Sequence, residues 1–265
     1  MKIISWNTNG LRATARQGYF TPLFAFNNPD IVCFQETKCE PEQLDESTRN
    51  PSFAKATTGE ERYHSYFSFS KLRKGYSGVA IYTKNKPLKV EYGMGIKRFD
   101  DEGRMLVAYY KDFVLINCYF PNAGVDPERL KYKLEFYDAF LKFINKLKKS
   151  GHNVIFTGDV NTAHNAIDLA RPKANENNTG FLRIERDWLD KVLQNGFVDI
   201  FRNFYPDKKD VYTYWDMKTF ARSRNVGWRI DYFFTNESFI KKVKSFKTLS
   251  NYPGSDHCPI MIEIK

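Results

Sequence analysis

Two polar side chains follow a short apolar run near the middle of this 265-residue sequence, where Asp159 and Asn161 come after residues 154–156. The run is β-branched and aromatic, as expected for a strand covered on both faces, and Gly158 indicates a tight backbone turn after it. Residues two apart on an extended chain point the same way, so a carboxylate and a carboxamide would share one pocket. The alternative is a turn in which both side chains bond only their own backbone.

Asn7 and Glu36 repeat this arrangement, since each ends an apolar run, at residues 3–6 and 31–34. Carboxylates and carboxamides without a thiolate make a hard oxygen ligand set, which favours Mg²⁺ or Mn²⁺ over zinc. Such an ion is chemically able to assist the hydrolysis of a phosphodiester. For Asn7, an asparagine that only stabilises a turn is the alternative.

Two further polar pairs border apolar runs. Tyr119 and Asn122 lie three apart around Pro121, which makes a rigid polar corner. Tyr119 could equally be a core tyrosine with a satisfied hydroxyl. Asp256 and His257 precede the last apolar run, an arrangement that favours a functional histidine over a purely structural one.

The net charge of +10 points to a polyanionic partner. Asn175 and Asn178 lie in an asparagine-rich stretch that suits hydrogen bonds to phosphates or sugars, although ordinary loop composition explains it equally well. Arginines alternate with Trp228 between residues 222 and 232, as in a surface that binds phosphates and offers flat faces to a base, or in a strand pair with arginines at its rim. Tyr76, at a glycine turn, could contact a nucleic-acid backbone or be a surface tyrosine without a partner.

A mixture of short strands and a few helices would position these side chains. Apolar or alternating runs predict strands at residues 3–6, 31–34, 63–69, 78–82, 105–110, 113–119, 154–156, 212–215 and 260–264. Helices are predicted at residues 19–27, 126–149 and 186–194. The second helix has an apolar stripe that indicates core packing, formed by Leu130, Leu134, Tyr137, Leu141 and Ile144. Residues 84–103 are expected to be an irregular crossover.

The chain is predicted to be a single domain spanning residues 1–265, because nothing in it resembles a linker. Its 23 Phe and 16 Tyr supply a sizeable core, and its longest apolar runs are too short to cross a bilayer. The first residues read as a strand rather than a signal peptide, so export is not expected. Four widely spaced cysteines indicate neither a disulfide framework nor a zinc site, which suits the cytoplasm or, in a eukaryote, the nucleus.

Two segments, residues 6–13 (WNTNGLRA) and 34–39 (FQETKC), resemble the first motifs of the exonuclease III-type apurinic/apyrimidinic endonucleases, which belong to the endonuclease/exonuclease/phosphatase superfamily. The Y-x-P-N segment at 119–122, the G-D-x-N segment at 158–161 and later segments around Trp228 and His257 extend the similarity from Lys2 to Ile264. The resemblance implies a DNase I-like α/β fold, a four-layered sandwich in which two mixed β-sheets pack face to face with helices outside.

The resemblance also implies catalytic roles for Tyr119, Asp159, Asn161, Asp231 and His257. Asp159 would orient and deprotonate the attacking water, while His257 would donate to a phosphoryl oxygen with Asp231 fixing its tautomer. Tyr119 would bond a phosphate oxygen or stabilise the leaving group. The metal ligands would come from Asn7, Glu36, Asp159, Asn161, Asp256 and His257, with Glu36 the principal one. Whether the base is Asp159 or His257, and whether one ion acts or two, is left open.

A DNA-binding surface is implied in the same way, with the members Tyr76, Asn122, Asn175, Asn178, Tyr214, Arg224, Trp228 and Ile230. Asn122 would bind a phosphate. Tyr214, Trp228 and Ile230 would wall an apolar pocket for an extruded abasic deoxyribose, too narrow for a normal base. The chain departs from some relatives at Val125, where they carry an arginine that reaches into the DNA groove, so that contact is not expected here.

The implied activity is that of a Mg²⁺-dependent DNA repair nuclease of base excision repair, with Mn²⁺ as a substitute. It would hydrolyse the phosphodiester 5′ to abasic sites and also act as a 3′–5′ exonuclease or 3′-phosphodiesterase. Its partner would be double-stranded DNA with abasic sites or damaged 3′ ends, bound by a monomer. The alternatives are a nuclease or phosphodiesterase of the same fold without abasic-site preference, and a DNA-binding protein that has lost catalysis. The complete set of acids, asparagines and histidine argues against the last.

Overall fold

The computed structural model of the chain describes residues 1–55 and 59–265. Within them, two six-stranded sheets pack face to face, with helices on their outer sides. This is the four-layered sandwich that the family resemblance implies. A further antiparallel pair of strands forms a small two-stranded sheet of its own.

The strands alternate with connections of varied length. In chain order they are β1 (Lys2–Asn7), β2 (Ile31–Gln35), β3 (Ser52–Lys55), β4 (Gly59–Arg62), β5 (His64–Ser68), β6 (Val79–Thr83), β7 (Lys89–Tyr92), β8 (Met105–Tyr109), β9 (Val114–Cys118), β10 (Val154–Asp159), β11 (Phe197–Asp199), β12 (Asp231–Asn236), β13 (Val243–Thr248) and β14 (Ile260–Ile264).

Most of the helices are short. They are α1 (Leu11–Arg16), α2 (Phe20–Asn27), α3 (Glu46–Arg49), α4 (Lys97–Asp100), α5 (Pro127–Lys149), α6 (Pro172–Asn175), α7 (Arg183–Gln194) and α8 (Ile200–Phe204). The carboxylate of Asp126 caps α5 by accepting the backbone N–H of Glu128, as the Asp-Pro-Glu sequence predicts. None of the helices in the described ranges combines the length and the apolar composition that crossing a bilayer requires.

The first sheet has the order β13-β14-β1-β2-β6-β5 and the second the order β11-β12-β10-β9-β8-β7. Each contains one parallel pair at its centre, β1 with β2 and β9 with β10, and antiparallel neighbours elsewhere. The carboxyl ends of parallel strands emerge on the same edge of a sheet. Residues that follow β1, β2, β9 and β10 are therefore collected at one end of the sandwich.

Three apolar layers hold the sandwich together. One lies between the sheets and includes Ile3, Ile81, Leu115 and Phe233. The second packs α5 and α7 on the outer face of the second sheet, and the third packs α2 on the outer face of the first. Each sheet is thus covered on both faces, which explains why the central strands read as continuous apolar runs.

Two sequence predictions about secondary structure are wrong. Residues 212–215 form no strand, because Tyr214 makes only isolated bridges to Trp228 and His257 and its aromatic neighbours pack under loops. Residues 84–103 are not wholly irregular, since they contain β7 and α4. In β7 the residues are partly exposed at a sheet edge, so the strand lacks the apolar run that would have revealed it.

The apolar stripe predicted for α5 packs against the core, where Tyr137 and Ile144 are fully buried. Leu130, Leu134 and Leu141 are only partly buried, whereas Lys133 and Phe136 lie on the fully buried face. The helix therefore turns a lysine towards the protein interior, where an isolated charge would be very unfavourable.

Candidate active site

Asp159 and Asp231 lie at the centre of the site because β10 and β12 pair in an antiparallel register that places them directly opposite each other. His257, just before β14, completes the group: its Nδ1 lies 2.8 Å from Asp231 and its Nε2 lies 3.8 Å from Asp159. All three side chains are at most 5% exposed. We refer to Asp159, Asp231 and His257 as the buried triad.

Asn7 joins the two sheets at this point. Its amide nitrogen donates to Asp159 at 2.9 Å and to Glu36 at 3.2 Å. The parallel register of β1 and β2 sets Asn7 beside Gln35, so the next residue, Glu36, reaches the same amide. The carboxylates of Glu36 and Asp159, 123 positions apart in the sequence, thus belong to one site.

The charges of the buried triad are coupled. Burial by itself lowers the pKa of His257, but the carboxylates of Asp231 and Asp159 outweigh it and raise that pKa well above its usual range. Burial and the neighbouring acids raise the pKa of Asp159, although His257 opposes this shift. The geometry therefore holds a cationic imidazolium against Asp231, which fixes the ring orientation and presents Nε2 to the site.

Tyr119 and Glu36 form a second pair. Tyr119 follows β9, and its phenol lies close enough to the Glu36 carboxylate for the two groups to shift each other's pKa. Burial would raise the pKa of Glu36, but Lys38, 2.7 Å away, and the Tyr119 hydroxyl lower it. Glu36 is thereby kept ionised, with its side chain 16% exposed at the mouth of the site.

The turn after Asp159 differs from the one predicted. Gly158 lies within β10, where a Cβ atom would come 1.9 Å from the carbonyl oxygen of Cys118, so glycine is required by close strand approach rather than by a turn. The chain turns instead at Asn161, whose φ is 56°. Asn161 donates its backbone N–H to Asp159 and its side-chain amide to Phe120. Its carboxamide is therefore fixed beside Asp159 by the turn rather than by strand alternation.

Asp256 lies at the edge of the site. Its carboxylate accepts from Asn9 at 3.1 Å and from Ser255 at 3.1 Å, and it is only partly buried. The backbone N–H of Trp215 donates to its carbonyl oxygen. Asp256 is thus placed close to, but outside, the buried triad.

The donor set suits a divalent cation. Each member of the buried triad can offer one ligand atom, and these atoms lie within 4.8 Å of one another. Within the described part of the chain, Oδ1 of Asp231 is buried without a hydrogen-bond partner, which is costly unless another group binds it. The sequence analysis had assigned Asp231 to positioning His257 and left it out of the metal set. With Glu36 and Asn7 adjoining, the ligands are hard oxygens, and His257 can add an imidazole nitrogen only when its ring is not protonated.

The three predicted pocket residues lie together next to the triad. Tyr214, Trp228 and Ile230 pack in one apolar cluster, and the Tyr214 ring lies 4.9 Å from that of His257. Phe181, which the sequence analysis did not select, belongs to the same cluster and is buried. Its position just after the asparagine-rich stretch is the sequence feature that could have identified it as a pocket residue.

Tyr76 has charged partners rather than being an isolated surface tyrosine. Its hydroxyl accepts from Arg104 at 2.7 Å and from Arg129 at 2.9 Å. Arg104 is buried, pairs with Glu102, and donates to the backbone carbonyl of Tyr119. Sequence reasoning missed Arg104 and Glu102, which precede the apolar strand β8 and carry no motif of their own. They link the Tyr76 surface to the active-site tyrosine.

The remaining predicted DNA contacts lie on exposed loops. Asn122 is exposed and uses its side-chain oxygen to accept from Gly124. Asn178 donates to the side chain of Asn175, which donates in turn to the carbonyl of Arg171. Arg224 is exposed and donates to the carbonyl of Thr219. These carboxamides are engaged within their own loops, and helix α6 ends at Asn175, the first residue of the asparagine-rich stretch.

Comparison with known proteins agrees with this geometry. The model of the Endonuclease/Exonuclease/phosphatase family matches residues 4–257. An exodeoxyribonuclease of Bacillus subtilis is 40% identical over 264 residues, covering 100% of this chain and 99% of that protein. DNA repair nuclease APEX1 of Danio rerio is 39% identical, covering 99% of this chain and 81% of that protein.

The fold is also shared with a solved structure. An AP endonuclease from Archaeoglobus fulgidus superposes with a TM-score of 0.86 and 29% identity, covering 100% of this chain and 99% of that one. The expected two-sheet fold and the expected kind of enzyme, a nuclease acting in DNA repair, are thereby confirmed. The chain belongs to the endonuclease/exonuclease/phosphatase family and is a phosphodiester hydrolase of its exodeoxyribonuclease and AP endonuclease group.

Proposed function

We propose that this nuclease cleaves the phosphodiester 5′ to abasic sites in double-stranded DNA with Mg²⁺, and that it also removes nucleotides or blocking groups from 3′ ends. The observation that carries the proposal is the amide of Asn7, which holds the carboxylates of Glu36 and Asp159 in one site beside His257. The relatives include an exodeoxyribonuclease and AP endonucleases, and these activities support the two halves of the proposal.

The side chains divide the work of hydrolysis. Asp159 orients the attacking water and takes its proton, since burial raises the pKa of its carboxyl towards the range of a general base. Asn7 and Asn161 keep that carboxylate in place through hydrogen bonds of 2.9 and 2.8 Å. His257, held cationic by Asp231, donates a hydrogen bond to the phosphoryl oxygen where negative charge develops.

A metal ion would be held by Glu36 together with members of the buried triad, with Asn7, Asn161 and Asp256 close by. The hard ligands favour Mg²⁺, with Mn²⁺ as a substitute. When bound, such an ion supplies Lewis-acid stabilisation of the phosphoryl oxygens. Tyr119, beside Glu36, is placed to bond a phosphate oxygen or to assist the departing 3′ oxygen.

Selection of an abasic sugar follows from the cluster of Tyr214, Trp228 and Ile230. These side chains and Phe181 form an apolar wall beside His257, which fits a flipped-out deoxyribose better than a polar surface would. Tyr76 and the exposed carboxamides of Asn122, Asn175 and Asn178 would contact the backbone phosphates, and Arg224 would add charge at the rim.

The decisive experiment compares matched duplexes with and without one abasic site, each incubated with Mg²⁺ or with EDTA. We expect a cut 5′ to the abasic site only with Mg²⁺, and no cut in the intact duplex. Equal cleavage of both duplexes would establish the alternative, a nuclease of the same fold without abasic preference. Cleavage in EDTA would contradict the metal assignment, and no cleavage of any duplex would contradict the proposal itself.

We further infer that residues 1–265 form a single domain, that the protein acts as a monomer, and that it works in base excision repair in the cytoplasm, or in the nucleus of a eukaryote. The family model matches residues 4–257 as one region, which supports the single domain. The repair names of the relatives support the second.

A further inference from the structure

The turn that carries Asp159 and Asn161 accepts hydrogen bonds from the protein interior at three successive backbone carbonyls. We call residues 159–162 the catalytic loop. Each backbone carbonyl of residues 160, 161 and 162 accepts a hydrogen bond from a buried side chain of α5 or β12. The pairs are Tyr137 to Val160 at 2.9 Å, Lys133 to Asn161 at 2.8 Å and Tyr232 to Thr162 at 2.8 Å.

Lys133 is the charged member of this group and is fully buried. Its ammonium nitrogen also donates to Thr162 Oγ1 at 2.9 Å and to Glu185 Oε1 at 2.5 Å. Burial lowers the pKa of Lys133, while Glu185 opposes that shift. All three ammonium hydrogens thus have acceptors, and two of these acceptors belong to the catalytic loop.

Glu185 uses its other oxygen on a different segment. Oε2 accepts the backbone N–H of Gly180 at 2.6 Å and that of Leu182 at 3.1 Å. Gly180 closes the asparagine-rich loop, residues 175–180, and its carbonyl accepts the N–H of Ala163 at 2.8 Å. The ion pair therefore has the catalytic loop on its lysine side and the asparagine-rich loop on its glutamate side.

Capping of α7 explains only one of the two roles of Glu185. Its Oε2 alone accepts the free backbone N–H groups at the start of α7, so capping does not account for the contact of Oε1 with Lys133. It needs no lysine, and a buried ion pair is often no more stabilising than apolar residues of the same size. A buried pair between two functional loops is better explained by the geometry that it imposes than by stability.

We propose that Lys133 and Glu185 are positioning residues that hold Asn161 beside Asp159 and set the distance from the catalytic loop to the asparagine-rich loop. A phosphate bound by the asparagine-rich loop is thereby kept in register with the reacting phosphodiester. This inference rests on the proposed function, because it assigns the asparagine-rich loop to the DNA.

The test uses the double variant Lys133→Met/Glu185→Gln, which removes both charges and so avoids leaving one of them buried alone. Single-turnover cleavage of the abasic duplex should fall by about 10²-fold, the size expected when a reacting group is misplaced by about 1 Å. The single variant Lys133→Arg should cleave faster than the double variant, because a guanidinium can reach the same acceptors. The matched control is Ile144→Ala, a buried position on the same helix but outside the ion pair.

Backbone hydrogen exchange of the intact protein gives a readout that does not depend on activity. We expect faster exchange in residues 159–162 and 175–180 of the double variant, and unchanged exchange in both segments of Ile144→Ala. A double variant that cleaves as fast as the control, or that loosens only one of the two segments, would overturn the inference. If the wild-type protein cuts intact and abasic duplexes equally, the proposed function fails. The role of Lys133 and Glu185 is then still decided by the cleavage rate of the double variant relative to the wild type on the intact duplex, together with the exchange data.

Discussion

The two sheets supply the active site with different kinds of residue. The second sheet contributes Asp159 and Asp231, which are almost completely buried. The first contributes Glu36 and, before β14, Asp256, which are partly exposed at the mouth. Among the residues that the structure describes, His257 is the buried titratable group that reaches from the first side to the acids of the second.

This difference separates two requirements of metal-assisted hydrolysis. Buried acids can have strongly shifted pKa values, as a proton-transfer group needs. Glu36 stays ionised at the mouth, because Lys38 and the Tyr119 hydroxyl lower its pKa against the effect of burial, and it remains accessible as a ligand of an exchanging cation must be. Substitution of Asp159 should therefore lower turnover even at saturating metal, whereas substitution of Glu36 should mainly raise the demand for metal.

The largest effect is expected for Asp159→Asn. The substitution keeps the shape of the side chain but removes the base, so kcat on an abasic duplex should fall by about 10²–10⁴-fold. The dissociation constant for uncut duplex, measured in EDTA, should remain close to that of the wild type. Asp187→Asn, on the exposed side of α7, is the control. A large loss of affinity with an intact rate would contradict the assignment of Asp159 as the base.

Acid should weaken the fold beside the second sheet. Burial would raise the pKa of Asp168, but Arg229 and Arg202 hold it at about 2. This pKa lies below the value of about 3.9 that an aspartate has in the unfolded chain. The ionised Asp168 therefore stabilises the fold fully above pH ~3.9, and this stabilisation is lost as the pH falls through about 2. The contribution is roughly 2–3 kcal/mol.

Urea unfolding between pH 6 and pH 2 measures this contribution. The wild type should lose more free energy of unfolding across the range than Asp168→Asn, which has no carboxyl to protonate at that position. Parallel curves for the two proteins would mean that the carboxylate of Asp168 has no special role in acid stability.

Glu36→Ala tests the first sheet. The Mg²⁺ concentration for half-maximal rate should rise by about 10-fold or more, since even the loss of an outer partner of a metal ligand has effects of this size. The rate at saturating Mg²⁺ should recover more completely than in Asp159→Asn. An unchanged Mg²⁺ titration would place the ion elsewhere and remove the proposed division between the sheets.

The smallest effect is expected for Asn178→Ala on the asparagine-rich loop. Asn178 now bonds Asn175, so binding to DNA exchanges one hydrogen bond for another and the net loss should be about 0.5–1.5 kcal/mol. Because phosphate contacts carry no sequence information, affinity for abasic and intact duplexes should fall equally. A loss confined to the abasic duplex would assign Asn178 to recognition of the damaged sugar.

Much of the fold could be predicted from the sequence, because the central strands are covered on both faces and their apolar runs end where polar residues begin. The strands before Asn7 and Glu36, the hairpin of β8 and β9, and helix α5 follow the sequence predictions. The strand predicted from the aromatic run at 212–215 is absent, because bulky apolar residues also fill the space under loops.

The candidate site was predictable in its residue types but not in its supporting contacts. Asn7, Glu36, Asp159 and His257 carry motifs, and the structure brings them together. Lys133 carries none: a lysine in a helix is typical of a solvated face, and only the packing of α5 against its neighbours shows that it points inward. Contacts of this kind depend on which helices and strands pack together. The periodicity of apolar residues within one segment does not show this.

The pairing of β1 with both β2 and β14 has a consequence for biosynthesis. Asn7 and His257 lie 250 positions apart, so the catalytic centre of a nascent chain stays incomplete throughout the synthesis of the residues between them. Contacts between such distant parts of a chain also form slowly. A fragment that stops short of His257 therefore lacks the imidazole that faces Asp231 and Asp159.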